Sequence, residues 1–279
     1  MKHQLYVTLL TLEISLFTVS FAFAQQASVA DSIVRVRFHS EILEQDRGLI
    51  IHLPRNYDPG RKYPVMYVLD GSSQDQHIAD EFDSLSLLGL VPQTIIVGIP
   101  NMTAANRTFQ LVPPFMLTDP NNPDSPVGTA DTFLSFMESE LIPFIAEKYG
   151  ASELRSFAGN SRGGLLVLYS LILKPDLFAG RFCFSTPLWR QDNLLVSRAS
   201  EFLSSKQQFN SFIYLSVGAN ETENIRGGLE AMKQSLQQNT PNGLTWYAAI
   251  TPHVDHQQNA KASARDAIQK WGEYVKNLK

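Results

Sequence analysis

Phe157-Ala158-Gly159-Asn160-Ser161-Arg162-Gly163-Gly164-Leu165-Leu166-Val167-Leu168-Tyr169 is the stretch that decides the fold. Gly159 to Gly163 make a G-x-S-x-G pattern, which by itself arises by chance in roughly one chain in ten of this length. Its setting makes it specific. An apolar strand ending in Phe157-Ala158 runs into it, and an apolar helix runs out of it and stops before Pro175. That is the strand, sharp turn and helix of a nucleophile elbow. In such an elbow the serine sits at a strained turn so that Oγ projects from the top of a sheet, and the flanking glycines avoid collisions a Cβ would make. The helix N-terminus behind it favours a developing negative charge.

Working outward, runs rich in β-branched and aromatic residues alternate with helix-like segments, the order expected of βαβ units. Strands are expected at 33–38, 48–53, 65–69, 94–99, 155–158, 181–184, 212–217 and 244–250, and helices at 79–88, 132–148, 163–173, 193–205, 224–238 and 260–277. The first two strands lack an intervening helix and should pair antiparallel at a sheet edge. The fold class is α/β: an α/β-hydrolase fold with about eight strands, mostly parallel and flanked by helices. Only one helix fits between 181–184 and 212–217, so no separate cap domain is expected. Residues 100–128 break the rhythm, holding Pro100, Pro113, Pro114, Pro120, Pro123 and Pro126. So long a connection in a compact domain is commonly a lid or binding loop.

A serine hydroxyl needs a base and a group to orient that base. In this architecture the order is Ser, then Asp or Glu, then His, each just past a strand end. After 212–217 comes Glu221, the expected orienter, with Glu223 as the alternative. After 244–250 come His253 and His256. His256 is the expected base because it immediately precedes a helix, whereas Pro252-His253 has the character of a turn. An oxyanion hole needs two donors. The Arg162 N–H supplies one, and the turn Leu69-Asp70-Gly71-Ser72-Ser73 should supply the other through the Gly71 or Ser72 amide.

Composition excludes other chemistries. The 279 residues carry a net charge of −4 with no long Lys/Arg run, which leaves no electrostatic footprint for nucleic acid. Cys183 is the only cysteine, in the apolar run Arg181-Phe182-Cys183-Phe184, and is expected to be a buried hydrophobe. A lone cysteine can form neither an internal disulfide nor a cysteine metal cluster. At the N-terminus, Lys2 and His3 precede a mostly apolar stretch from Leu5 to Ala24 ending in Ala22-Phe23-Ala24, the pattern of a signal peptidase site. Residues 1–24 read as a signal peptide, leaving 25–279 as a single domain, exported to the periplasm or the medium. Glu13 within the apolar run argues against a membrane anchor, because a charge at the centre of a spanning helix costs roughly 2.5–3.5 kcal/mol. No stable membrane insertion is expected after cleavage, and nothing in the sequence speaks to oligomeric state.

Several stretches together resemble one family. Gly48-Leu49-Ile50-Ile51-His52-Leu53-Pro54, Tyr63-Pro64-Val65-Met66-Tyr67-Val68-Leu69-Asp70-Gly71, Glu140-Leu141-Ile142-Pro143-Phe144-Ile145, Ala158 to Leu165 and Pro175-Asp176-Leu177-Phe178 are similar to the esterase D-like family of α/β-hydrolases. That family includes ferric-siderophore esterases, feruloyl and acetyl-xylan esterases, S-formylglutathione hydrolases and mycolyltransferases. The resemblance implies acyl transfer from a small-molecule ester or thioester without metal or organic cofactor. It puts the nucleophile on Ser161, the histidine on His256 and the acid on Glu221. Asn101 and Arg107 resemble polar positions of the loop after the fourth strand, and Ser185-Thr186-Pro187-Leu188-Trp189 resembles a Ser-Pro segment ending in Trp. Asn160 stands where many members carry His, and Arg162 where Leu or Met is frequent, so these residues bear on substrate choice.

A cation at a helix N-terminus opposes the helix dipole. Arg162 therefore calls for a carboxylate partner or an anionic ligand, and Arg107 or Arg162 is a candidate contact for an acidic or polyhydroxylated substrate. The expectation is a serine esterase, with siderophore or other natural-product esters as one substrate class. Acyl transfer and polysaccharide (feruloyl or acetyl) esters are the alternatives within enzymes, and a catalytically silent hydrolase-fold binding protein is the alternative outside them.

Overall fold

The structure is a computed structural model and describes residues 33–278. The expected signal peptide at 1–24 lies outside the described residues. An eight-stranded sheet in the order β1-β2-β4-β3-β5-β6-β7-β8 forms the centre. Its strands are β1 (Ile33–Ser40), β2 (Gln45–His52), β3 (Tyr63–Leu69), β4 (Ile95–Ile99), β5 (Ala151–Asn160), β6 (Gly180–Phe184), β7 (Gln208–Gly218) and β8 (Asn242–Thr251). β1 pairs antiparallel with β2, and β2 antiparallel with β4, while all pairs from β4 to β8 are parallel. This is the α/β-hydrolase sheet read from the sequence, with the antiparallel pair at the edge.

Eight α-helices cover the sheet: α1 (Asp75–Leu87), α2 (Ala104–Gln110), α3 (Ala130–Phe136), α4 (Ile142–Tyr149), α5 (Arg162–Leu173), α6 (Arg190–Ser204), α7 (Glu223–Asn239) and α8 (Asn259–Asn277). The central strands are apolar on both faces because helices lie on both, as a parallel sheet demands. Along β3, Val65, Tyr67 and Leu69 enter one core with residues of α3 to α7, while Met66 and Val68 enter a second core with residues of α1 and α8. Between β6 and β7 the only helix is α6, so no cap domain interrupts the sheet. Cys183 is buried, and burial pushes its thiol up to about 12.

The proline-rich excursion is not a free lid. It contains α2, whose N-cap Thr103 accepts a hydrogen bond from the Asn106 amide through Oγ1. Leu111, Val112 and Met116 are buried in the main core. Leu117 pairs with Val127 across the excursion, and the backbone of Gly128 passes so close to Val112 that a Cβ would lie 1.8 Å from its carbonyl oxygen. The half of the excursion around Pro113 and Pro114 is thus fixed by the core, while Pro120, Pro123 and Pro126 lie in a mostly exposed stretch.

Arg181 on β6 is the largest departure from a simple apolar strand. It is fully buried, yet it makes six hydrogen bonds: to the Ser170, Lys174, Pro175 and Phe178 carbonyls and to the Ser170 and Ser211 hydroxyls. Three of those carbonyls lie in or just beyond the last turn of α5, where a cation suits the dipole, and of the three Ser170 also accepts from the Lys174 N–H. Arg181 thus ties the far end of the elbow helix to the sheet. Arg181→Met should lower the unfolding free energy by about 3 kcal/mol or more, because several buried acceptors lose their donor at once. A loss under about 1 kcal/mol in urea titration would contradict this role.

Candidate active site

The elbow is built by close approach of backbones. Ser161 joins β5 directly to α5 with φ 55° and ψ −122°, outside the comfortable regions for a residue bearing a Cβ. Such strain costs on the order of 1–3 kcal/mol and persists only where the surroundings impose it. Here the Ser161 N–H donates to the Phe184 carbonyl (2.8 Å) and the Ser161 carbonyl accepts from the Gly164 N–H (2.9 Å). A Cβ on Gly159 would lie 2.5 Å from the Gly163 carbonyl carbon, so glycine is required there. The second flanking glycine differs from the sequence expectation. A Cβ on Gly163 would meet nothing nearer than 3.5 Å, whereas one on Gly164 would stand 1.9 Å from Thr186 Oγ1. The crowding comes from the β6 exit loop, and it falls one residue later.

Glu221 and His256 come together past the ends of β7 and β8. His256 Nδ1 is 2.7 Å from Glu221 Oε2, which leaves Nε2 as the ring nitrogen not engaged by the acid. The approach depends on Gly218, where a Cβ would lie 2.3 Å from the Val254 carbonyl oxygen in the loop that carries His256. The Glu221 side chain is completely buried, and its other oxygen accepts from Ser185 Oγ (2.6 Å) and the Gly218 N–H (2.7 Å). Burial alone would raise this carboxyl. The hydrogen bonds from His256, Ser185 and Gly218 outweigh it and hold Glu221 below the ordinary carboxylate range. Glu223 and His253, the alternatives, are both exposed, Glu223 in the first turn of α7 and His253 in a turn with φ 61°.

Behind the acid lies a polar chain that the motif did not reveal. Asn259, fully buried at the start of α8, donates to Ser185 Oγ (3.0 Å) and to the Ser216 carbonyl and hydroxyl (3.2 and 3.1 Å), while its own oxygen accepts from Thr251 Oγ1 (2.6 Å). The signal for Asn259 was present as a polar residue on the apolar side of α8. Its partners on β7, on β8 and just past β6 were not readable from spacing.

The turn after β3 corrects the oxyanion expectation. The Gly71 N–H extends the ladder to the Ile99 carbonyl (3.1 Å), and the Ser72 N–H donates to Asp75 Oδ1 (2.8 Å). Neither amide is free, because Asp75, the first residue of α1, folds back over the turn. Its Oδ2 in turn sits 2.8 Å from His52 Nε2, and both side chains are almost wholly buried. Burial works to raise the Asp75 carboxyl, but the bonds from His52 and Ser72 prevail and lower it. His52 belongs to the quoted strand Gly48 to Leu53, but nothing in the sequence paired it with Asp75.

Arg107 and Asn101 are likewise turned inward. Arg107 grips Asp70 with two bonds, Nε to Oδ1 (2.6 Å) and Nη2 to Oδ2 (2.7 Å), and Asn101 Nδ2 donates to the same Oδ1. The charge of Arg107 is therefore matched within the protein, which corrects its assignment as an anion contact. Arg162 has no carboxylate within 4.0 Å among the described residues and instead donates to Thr108 Oγ1 (3.1 Å). Asn101, Arg107 and Asn160 line one cleft of about 300 Å³ together with Gln257. A neighbouring cleft of about 360 Å³ is lined by Trp189, Glu221 and His256. Asn160 and Gln257 are the chain neighbours of Ser161 and His256, so the first cleft brings the two segments to one place.

A mostly parallel eight-stranded sheet, a serine at positive φ between strand and helix, and a histidine bound to a buried carboxylate past the last strand define an α/β-hydrolase fold. A profile of the family described as "Putative esterase" matches residues 40–279, and the chain belongs to that family. Ferri-bacillibactin esterase BesA of Bacillus subtilis is 28% identical over 190 residues, 63% of this chain and 65% of its own length. The siderophore triacetylfusarinine C esterase of Aspergillus fumigatus is 31% identical over 190 residues, 59% of this chain and 61% of its own. The chain thus matches less than two thirds of either relative. Among solved structures, an IroE-like serine hydrolase from Shewanella oneidensis superposes with a TM-score of 0.78 at 26% identity, covering 86% of this chain and 80% of that one.

The two elbow glycines should respond oppositely to alanine. Gly164→Ala should cost about 1–3 kcal/mol through overpacking against Thr186. Gly163→Ala should be neutral or stabilise by up to about 1 kcal/mol, because glycine in a helix is entropically costly. Urea titration of both variants checks the contrast, and equal destabilisation would contradict it.

Proposed function

We propose that this chain is an exported serine esterase that hydrolyses small-molecule carboxylic esters through an acyl-enzyme. The observation that carries the reading is the 2.7 Å bond from His256 Nδ1 to the buried Glu221, with Nε2 left available, beside a serine held at φ 55°. Ser161 Oγ attacks the ester carbonyl carbon as His256 Nε2 takes the hydroxyl proton. Glu221 holds the ring by Nδ1 and balances the imidazolium that forms. The Arg162 N–H, in the first turn of α5 where backbone donors have no helical acceptor, faces the developing oxyanion. Collapse of the tetrahedral intermediate breaks the C–O bond, and the alcohol leaves with the proton from His256. Water then attacks the acyl-enzyme by the same steps and restores Ser161.

Family membership supports ester hydrolysis as the reaction. The names of the relatives, which refer to ferri-bacillibactin and triacetylfusarinine C, favour siderophore-type esters as the substrate class. The Leu5 to Ala24 stretch and its Ala22-Phe23-Ala24 end support export. Among the described residues no helix is long and apolar enough to cross a membrane.

Ser161→Ala should abolish both hydrolysis of short p-nitrophenyl esters and labelling by a fluorophosphonate. Retention of either activity would remove Ser161 from the mechanism. Mass spectrometry of protein recovered from outside the cytoplasm should find a chain beginning at Gln25. An intact Met1 on all exported protein would overturn cleavage.

A further inference from the structure

Arg162 is the charge beside Ser161 that the fold leaves unanswered. Its guanidinium is only partly exposed, at the helix end where the backbone dipole is already positive, and its hydrogen-bond partner is the neutral Thr108 hydroxyl. A second arginine in the same position is Arg190, at the start of α6. It is 2% exposed, donates through Nη2 to the Leu117 carbonyl, and keeps a buried Nε with no partner among the described residues. Neither forms an ion pair with a carboxylate among the described residues. Burial, and secondarily the charge of Arg162, pushes Arg190 down to about 10; burial, and secondarily Arg107, lowers Arg162. The acid whose charge reaches both is Asp119, which is exposed and not in contact with either.

The other two buried arginines likewise have no carboxylate partner among the described residues, but most of their donors are engaged by neutral groups. Arg181 has carbonyls and hydroxyls for its donors, as described above. Arg47 is bonded to Gln110 and the Pro100 carbonyl and lies over the Phe133 and Phe136 rings, though it too keeps a buried Nε without a partner among the described residues. Arg107 has Asp70. At Arg162, and at Arg190 whose charge reaches it, two partly or wholly desolvated guanidiniums lie without a carboxylate partner among the described residues, and Arg162 directly follows the residue that would be acylated. Uncompensated desolvated charge is costly, and an anion brought to Arg162 by a substrate on Ser161 would relieve it.

We propose that Arg162, backed by Arg190, is the receptor for an anionic group of the carboxylate type carried by the substrate, so that the enzyme prefers acidic esters to their neutral counterparts. The proposal rests on the serine-esterase reading and adds the substrate's charge to it. Because Arg162 directly follows the nucleophile, its side chain can reach only an anion a short chain away from the scissile carbonyl. A monoester of a short dicarboxylic acid has that geometry.

The experiment compares mono(4-nitrophenyl) glutarate with methyl 4-nitrophenyl glutarate, which has the same chain without the charge. Both are measured on the same preparations of the full mature chain, so the ratio of their kcat/KM values is insensitive to losses of folded protein. The wild type should favour the acid, and Arg162→Gln should cut that ratio about tenfold or more, the loss expected for one charge-assisted contact. Arg190→Gln should reduce it in the same direction. A wild-type ratio at or below one, or a ratio unmoved by Arg162→Gln, would overturn the anion receptor while leaving the esterase reading intact, provided Ser161→Ala is inactive on both esters. If Ser161→Ala instead turned over both as fast as the wild type, the esterase reading would fall, and the proposal with it.

Discussion

At Ser161 the backbone is forced into a left-handed turn, and most of what surrounds it exists to keep it there. The turn closes only if β5 and α5 approach to van der Waals contact, which is why Gly159 can have no side chain. Phe184 of β6 accepts the Ser161 amide, so the neighbouring strand must end at the same level. Thr186 in the loop after β6 presses on Gly164, and Arg181 in that strand holds the other end of α5 by its carbonyls. A single helix is therefore clamped at both ends by one strand and its exit loop. The strain at one residue is offset by packing and hydrogen bonds spread over twenty or so, as a strained functional site requires.

The acid side follows a different logic. Glu221 has no exposed side-chain surface, and a buried carboxylate is tolerable only when each oxygen is satisfied. Ser185, the Gly218 amide and His256 do this directly, and Asn259 steadies Ser185 in turn. Asn259 also bonds to Ser216, so α8 and β7 are joined through the same chain of polar groups that orients the histidine. On the far side of the elbow a second buried pair, His52 with Asp75, fixes the turn after β3 in a comparable way. Both arrangements exchange apolar packing for directional contacts, and satisfied polar networks favour one geometry over its near neighbours.

The strand and helix order was legible because it depends on local patterns: apolar runs, their spacing, and turn residues between them. Boundaries were less so. The strand expected at 155–158 extends over Ala151–Asn160, since Ala151 pairs with Tyr63 across an irregularity that spans Ser152 to Leu154 and Asn160 pairs with Phe184 at the other end. Helix α2 escaped notice because seven residues carry too little periodicity, although Thr103 capping Asn106 was a usable signal. Site residues fixed by a motif or by their position after a strand could be named in advance. What could not be read was which groups were already occupied: Asp75 takes the Ser72 amide and Asp70 takes Arg107, and both contacts depend on how a turn folds back in space.

The excursion from Pro100 to Gly128 is sewn into the core by Leu111, Val112 and Met116, and that has a kinetic meaning. The part of this wall that holds Leu111, Val112 and Met116 cannot swing aside without exposing core residues, so it acts as a standing side of the fold rather than a hinged one. On that side, discrimination has to reside in fixed complementarity, in the shape and charge the wall already possesses before anything binds.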